Sequence, residues 1–175
     1  EPGLLSTPSV ALKQSASAIR IMVETAWKMI DRSLNGHFMN GNLKQKKIAE
    51  IAEMEKRVDA MQQEITDYLV QLMRHPLTAP QSELIPLLMH ATNDAERIAD
   101  HAENIIELTR RMVGDGDTLS EGAMKSLRKM WEVLDDEARQ VISGLDGAKR
   151  KPVKAALKDE RRVNKMADRF EAEHI

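Results

Sequence analysis

Apolar residues recur along most of the chain with the spacing of helix faces. Leu12, Ile19, Met22, Val23, Ala26, Met29, Ile30 and Leu34 share one face and predict a first helix. Thr7-Pro8 supplies its start, a Thr N-cap followed by a proline at the first helical position. Asn35-Gly36 and Asn40-Gly41-Asn42 break it. A second helix is expected over about 43 to 74, with Ile48, Ile51, Val58, Met61, Ile65, Leu69 and Leu72 on one stripe, ending at His75-Pro76. A third, over about 81 to 112, carries Leu84, Leu88, Ala91, Ala95, Ile98, Ala102, Ile105 and Met112. After the loop Gly114-Asp115-Gly116-Asp117, Thr118-Leu119-Ser120-Glu121 reads as a capping box with Thr118 as N-cap. The fourth helix that it starts fades at Gly144-Leu145-Asp146-Gly147, and Lys151-Pro152 opens a fifth that runs to the last residues.

Long helices joined by short connections must lie antiparallel to their neighbours, so the fold class is all-α, an antiparallel helical bundle. An internal repeat is expected as well. Glu55-Lys56-Arg57-Val58-Asp59-Ala60-Met61 aligns with Glu160-Arg161-Arg162-Val163-Asn164-Lys165-Met166, and Arg20, Met22 and Glu24 align loosely with Arg128, Met130 and Glu132. The order is three helices and then two, with the sixth helix of a doubled three-helix unit missing from the chain.

Composition supports this picture. Aromatic residues are only 3% while charged residues reach 31%, so Leu, Ile, Val, Met and Ala must build the core, as in bundles. A net charge of -2 gives no global field to attract nucleic acid, which is not expected as a partner. The absence of cysteine excludes disulfides, thiolate catalysis and cysteine zinc sites. No apolar run is long enough to span a bilayer. The start at Glu1, without methionine, and the end inside a helical pattern lead us to expect a piece of a longer protein.

The third helix carries the one strong motif, Asn93-Asp94-Ala95-Glu96-Arg97-Ile98-Ala99-Asp100-His101-Ala102-Glu103-Asn104-Ile105. Glu96 and Asp100 are one turn apart, and Asn93, Glu96, Asp100, Glu103 and Glu107 share a stripe well away from the apolar one. Like charges at that spacing repel, so a continuous acidic stripe runs against ordinary helix patterning. One reading is a site for a hard cation, with His101 able to add a nitrogen; the other is a solvated acidic face balanced by Arg97, Arg110 and Arg111. Glu55 and Asp59 repeat the spacing on the second helix, at the border of its apolar stripe, where an ion pair would serve as well as a metal.

His37, His75 and His90 are scattered, and neither His-Glu-x-x-His nor inward Glu-x-x-His pairs occur. With no phosphate-cradling loop and no nucleophile elbow either, no catalytic residue is expected and the chain does not read as an enzyme. Basic clusters at Lys44, Lys46 and Lys47 and at Lys149, Arg150, Lys151 and Lys154 read as solvated helix ends, with anionic lipid as the alternative contact.

The thirteen-residue motif resembles the signature helix of the PhoU family of bacterial phosphate-regulatory proteins. The opening Leu4-Leu5-Ser6-Thr7-Pro8-Ser9-Val10-Ala11-Leu12, with Met22 after it, resembles the junction at which a sodium/phosphate cotransporter-like membrane domain meets its PhoU-like tail. The resemblance implies two three-helix repeats, the first over about 7–113 and a partial second over about 118–175. It implies a regulatory or scaffolding role in phosphate transport or homeostasis, at the cytoplasmic face of the cell membrane, with the transporter domain of the same polypeptide as partner. A second copy of the chain and the membrane surface remain open as further partners. The implied cofactor is a metal ion (iron, manganese, zinc, magnesium or calcium) held by Glu55, Asp59, Glu96 and Asp100, with Asp94 and His101 in the same motif. Asn164, where the family's second repeat has Asp, and the missing sixth helix depart from the pattern. A stand-alone phosphate-uptake regulator and, further off, a carboxylate-bridged metal enzyme are the alternatives.

Overall fold

A computed structural model describes residue 3, residues 5–145 and residue 172. The described residues form four α-helices and no strand: α1 Pro8–Ser33, α2 Gln45–Leu72, α3 Ala79–Asp115 and α4 Glu121–Leu145. The expected fifth helix, with Asn164 and the basic cluster at residues 149–154, lies outside the described residues. The chain divides into two compact units, Glu1–Arg111 and Met112–Ile175.

In the first unit, α1 starts as its sequence dictates. Pro8 stands in the first turn, and the Thr7 carbonyl accepts from the amides of Val10 and Ala11 at 3.0 and 3.1 Å, although the Thr7 hydroxyl makes no cap bond. Every residue of the expected apolar stripe, Leu12 through Leu34, is buried. Ser15 and Ser33 are buried on the same helix without penalty, because their hydroxyls donate to the carbonyls of Ala11 and Met29, one turn back.

The break after α1 is more ordered than its Asn and Gly residues suggest. The chain widens into a π-helical turn, Leu34–Phe38, that turns His37 inward. His37 Nδ1 donates to the Asn42 carbonyl and Asn40 Nδ2 to the Asn35 carbonyl, and Gly41 takes a φ of 58° that other residues avoid. This eleven-residue connection, 34–44, returns the chain so that α2 packs antiparallel against α1. Arg32, near the end of α1, reaches across to Met54 Sδ at 3.2 Å. Ile48, Ile51, Val58, Ile65, Leu69 and Leu72 form the buried line of α2, with Met61 half-buried.

The buried line of α3 differs from the expected one. Leu84, Ala91, Ile98 and Ile105 are only half-buried; the buried residues are Ile85, Leu88, Thr92, Ala95, Ala99, Ala102, Ile106 and Thr109. They alternate steps of three and four, the seam of a heptad pattern. Small Thr and Ala side chains from Thr92 to Ala102 let the middle of this face pack inward, and Leu84, Ile98 and Ile105 flank it. The Thr92 and Thr109 hydroxyls donate to the Leu88 and Ile105 carbonyls, so their burial leaves no donor unmet. Pro86 lies inside α3 at an exposed position, where water can take the Ser82 carbonyl that lacks its usual amide partner.

In the second unit, α3 ends at Gly116. This residue has a φ of 73°, and the Asp117 amide closes back on the Met112 carbonyl at 3.0 Å. The cap of α4 is Ser120 rather than Thr118. The Ala123 amide donates to Ser120 Oγ at 3.1 Å and the Met124 amide to the Ser120 carbonyl at 2.9 Å. The first helical bond therefore starts two residues later than the capping-box pattern implies. Ala123, Leu127 and Leu145 are the buried residues of α4.

Candidate acidic site between α2 and α3

The six residues between α2 and α3 force the two helices antiparallel, and the contacts between them run in register. Gln62 Nε2 donates to Asn93 Oδ1 at 3.3 Å. One turn earlier on α2, the charge of Asp59 acts on Glu96; a further turn back, those of Asp100 and Glu103 act on Glu55. Descending α2 thus means ascending α3, and two rows of carboxylates face each other along the seam. An open groove of about 450 Å³ continues from this row, lined by Asp59, Gln62, Thr66, Asp67, Asn93 and Glu96 among others.

The shifted stripe of α3 explains why these carboxylates meet. At about 100° per residue, moving the buried line from Leu84/Ala91/Ile98 to Ile85/Thr92/Ala99 turns the acidic stripe toward the core by about half of one residue's step. Glu96 becomes half-buried beside that line instead of fully solvated. Glu55 is also half-buried, while Asp59, Asp100 and Glu103 are exposed.

Crowding of like charge at low solvation favours the protonated form. Burial, with a hydrogen bond shared with Asp59 and the charges of Asp59, Glu103 and Asp100, raises the Glu55 carboxyl from its ordinary 4.5 to about 7. Burial also raises Glu96, assisted by Asp100 and Asp59, while Arg97 partly offsets the shift. At neutral pH the seam therefore keeps Glu55 partly protonated, and Arg97 is the cation that offsets the charge around Glu96.

Of the six residues expected to bind metal, four come together: Glu55, Asp59, Glu96 and Asp100. Asp94 and His101 stand on the far side of α3, about 100° or more beyond the stripe, and both are exposed. Asp94 lies 3.6 Å from Arg97, and neither Asp94 nor His101 figures among the charges that shift Glu55 or Glu96. Glu103, which joins the seam from α3, was visible in the acidic stripe but not singled out. The signal that finds it is the antiparallel register with Glu55.

An all-oxygen donor set of this kind suits a hard cation in its chemistry. Among the described residues, no three His, Asp or Glu side chains converge as they stand on one point where an ion could be held. Also among the described residues, no helix is long and apolar enough to cross a membrane.

Residues 19–109, from the middle of α1 to near the end of α3, match the PhoU domain family. No curated protein and no solved structure matches the chain. The match spans just over half of the sequence and contains the whole acidic seam, and on it the chain belongs to the PhoU domain family.

Proposed function

We propose that this chain is a regulatory, scaffolding domain of phosphate homeostasis, carried as the cytoplasmic-side tail of a sodium-dependent phosphate transporter. The observation that carries the regulatory reading is the PhoU domain match over residues 19–109. The transporter context rests on the junction-like opening from Leu4 to Leu12. A fold of long packed helices, with no nucleophile–base pair among the features described, favours a domain that works by contact over one that catalyses a reaction.

The acidic seam is the working edge in this reading. Glu55, Asp59, Glu96 and Asp100 would hold a hard cation, which would supply the positive charge that the seam lacks. Rotation of exposed Asp59 and Asp100 toward half-buried Glu55 and Glu96 would bring the oxygens together. The raised Glu55 and Glu96 carboxyls support this, since a bound cation relieves the repulsion that raises them. Elemental analysis of the purified chain and thermal shift with iron, manganese, zinc, magnesium and calcium test the metal. A Glu96→Ala/Asp100→Ala variant should lose the shift, and equal binding by the variant would reject these ligands. The transporter context is tested in the gene: apolar membrane-spanning helices are expected upstream of Glu1. Their absence would favour a stand-alone regulator.

A further inference from the structure

The opposite flank of α2 has an electrostatic character of its own. Between the end of α1 and the first half of α2 runs an open groove of about 580 Å³, whose lining includes Arg32, Lys46, Ala49, Glu50, Met54 and Arg57. Lys46, Ala49/Glu50, Glu53/Met54 and Arg57 follow each other by three or four residues and so share one face of α2. The two carboxylates on this face are already engaged. Lys47 Nζ binds both oxygens of Glu50 at 3.1 and 2.9 Å, and Lys56 Nζ binds Glu53 at 2.9 Å. Arg32 makes only a long ion pair with Glu50, at 3.9 Å, and spends a donor on the Met54 sulfur, a weak acceptor. Lys46 and Arg57 have no ion-pair partner among the described residues, and both are exposed. Three cations thus lie in a row, Lys46 and Arg57 about 16 Å apart along the helix and Arg32 between them, over a floor of Ala49 and Met54.

We propose that this groove docks an extended, acidic segment of a partner protein, with carboxylates toward Lys46, Arg32 and Arg57 and an apolar side chain on Met54 and Ala49. The row of cations calls for a linear anion, because no single anionic group can reach both ends. A span of about 16 Å matches roughly five residues of extended chain. The apolar floor favours a peptide over a phosphate polymer, which has no apolar group to lay there, and over a lipid, whose acyl chains stay in the bilayer while its headgroup meets the cations. Met54 is suited to this, being flexible and polarisable enough to fit differing side chains. The proposal is independent of the acidic seam, which lies on the other flank of α2.

The test is fluorescence anisotropy of a dye-labelled acidic peptide with a central Leu-Leu pair, titrated with the full 175-residue chain at low salt. Binding should weaken about tenfold in Lys46→Glu/Arg57→Glu and in ~0.3 M salt, and about threefold when Ser replaces the peptide's leucines. Lys125→Glu/Arg128→Glu on α4 makes the same charge change elsewhere and should leave binding intact. Circular dichroism should show the same helix content in all variants, as both pairs of positions are exposed. Equal binding by the Lys46/Arg57 variant, equal loss in the α4 variant, or indifference to the leucines would overturn the proposal. So would tighter binding of inorganic polyphosphate or of phosphatidylglycerol vesicles at the same residues.

Discussion

Glu55→Gln isolates the electrostatic stress of the acidic seam. The substitution keeps the side chain's shape and removes its charge. In the folded chain the Glu55 carboxyl is raised from 4.5 to about 7 by burial, by its hydrogen bond with Asp59 and by the charges of Asp59, Glu103 and Asp100. Between those two values the native state holds a proton that the unfolded chain has lost. Stability contributed by this group is therefore greatest at low pH, falls as pH rises from about 4.5 to about 7, and is gone above. Taken in full, the displacement would be worth roughly 3.4 kcal/mol. Solvent reaches half-buried Glu55 and screens its exposed neighbours, which reduces the expected effect to about 1 kcal/mol. Glutamine stays neutral, so Glu55→Gln should exceed the parent by about 1 kcal/mol at pH 8, and the difference should close toward pH 4.5.

The assay is urea unfolding followed by Trp27 fluorescence in a Trp131→Phe background, because each of the two compact units contains one of the chain's two tryptophans. A gain of that size moves the midpoint by roughly 0.5 M urea. A gain independent of pH would mean that packing, not charge, is responsible. A loss at pH 8 would mean that the ionised carboxylate is compensated by a partner, and the stressed-seam argument would fail. Added metal reverses the sign in the proposed site, since the parent then gains binding energy that the variant forgoes.

Two further substitutions probe the local structure. Ser120→Ala should cost about 1 kcal/mol by removing the acceptor of the Ala123 amide, while Thr118→Ala should be nearly neutral; thermal unfolding with Trp131 as probe separates them, and the reverse ranking would restore the capping-box reading. Gly41→Ala should cost about 1 kcal/mol through backbone strain alone, because its φ is 58° and no atom lies within 4 Å of an added Cβ; urea unfolding read at Trp27 would show an unchanged midpoint if the turn can relax.

How much of this was legible in the sequence depended on the size of the buried residues. The stripes of α1 and α2 are made of Ile, Leu, Met and Val, whose burial is strongly favoured, and the periodicity of these residues identifies the core face almost residue for residue. On α3 Thr and Ala fill the middle of the seam while Leu84, Ile98 and Ile105 flank it, so reading by bulk turned the helix too far from the carboxylates. The Glu55–Asp59 and Glu96–Asp100 pairs were visible from spacing alone. That they confront each other was not, since it depends on the register of two helices far apart in sequence. Likewise, nothing local distinguishes Ser120 from Thr118 as a cap, because both hydroxyls precede suitable amides and packing chooses between them. Of the basic groove only Lys46 stood out, within the cluster at the start of α2; Arg32 and Arg57 did not, because they come from two helices and are interleaved with glutamates.

The small-residue seam of α3 has a mechanical consequence. Ala95, Ala99 and Ala102 carry no charge, yet as the thinnest buried side chains on that helix they let its backbone, with Glu96 and Glu103, lie close to the core. They act as the shim of the acidic edge. Widening the shim by a few methyl groups would lift one acidic row from the other and slacken the spring of repulsion between them, without altering a single carboxylate.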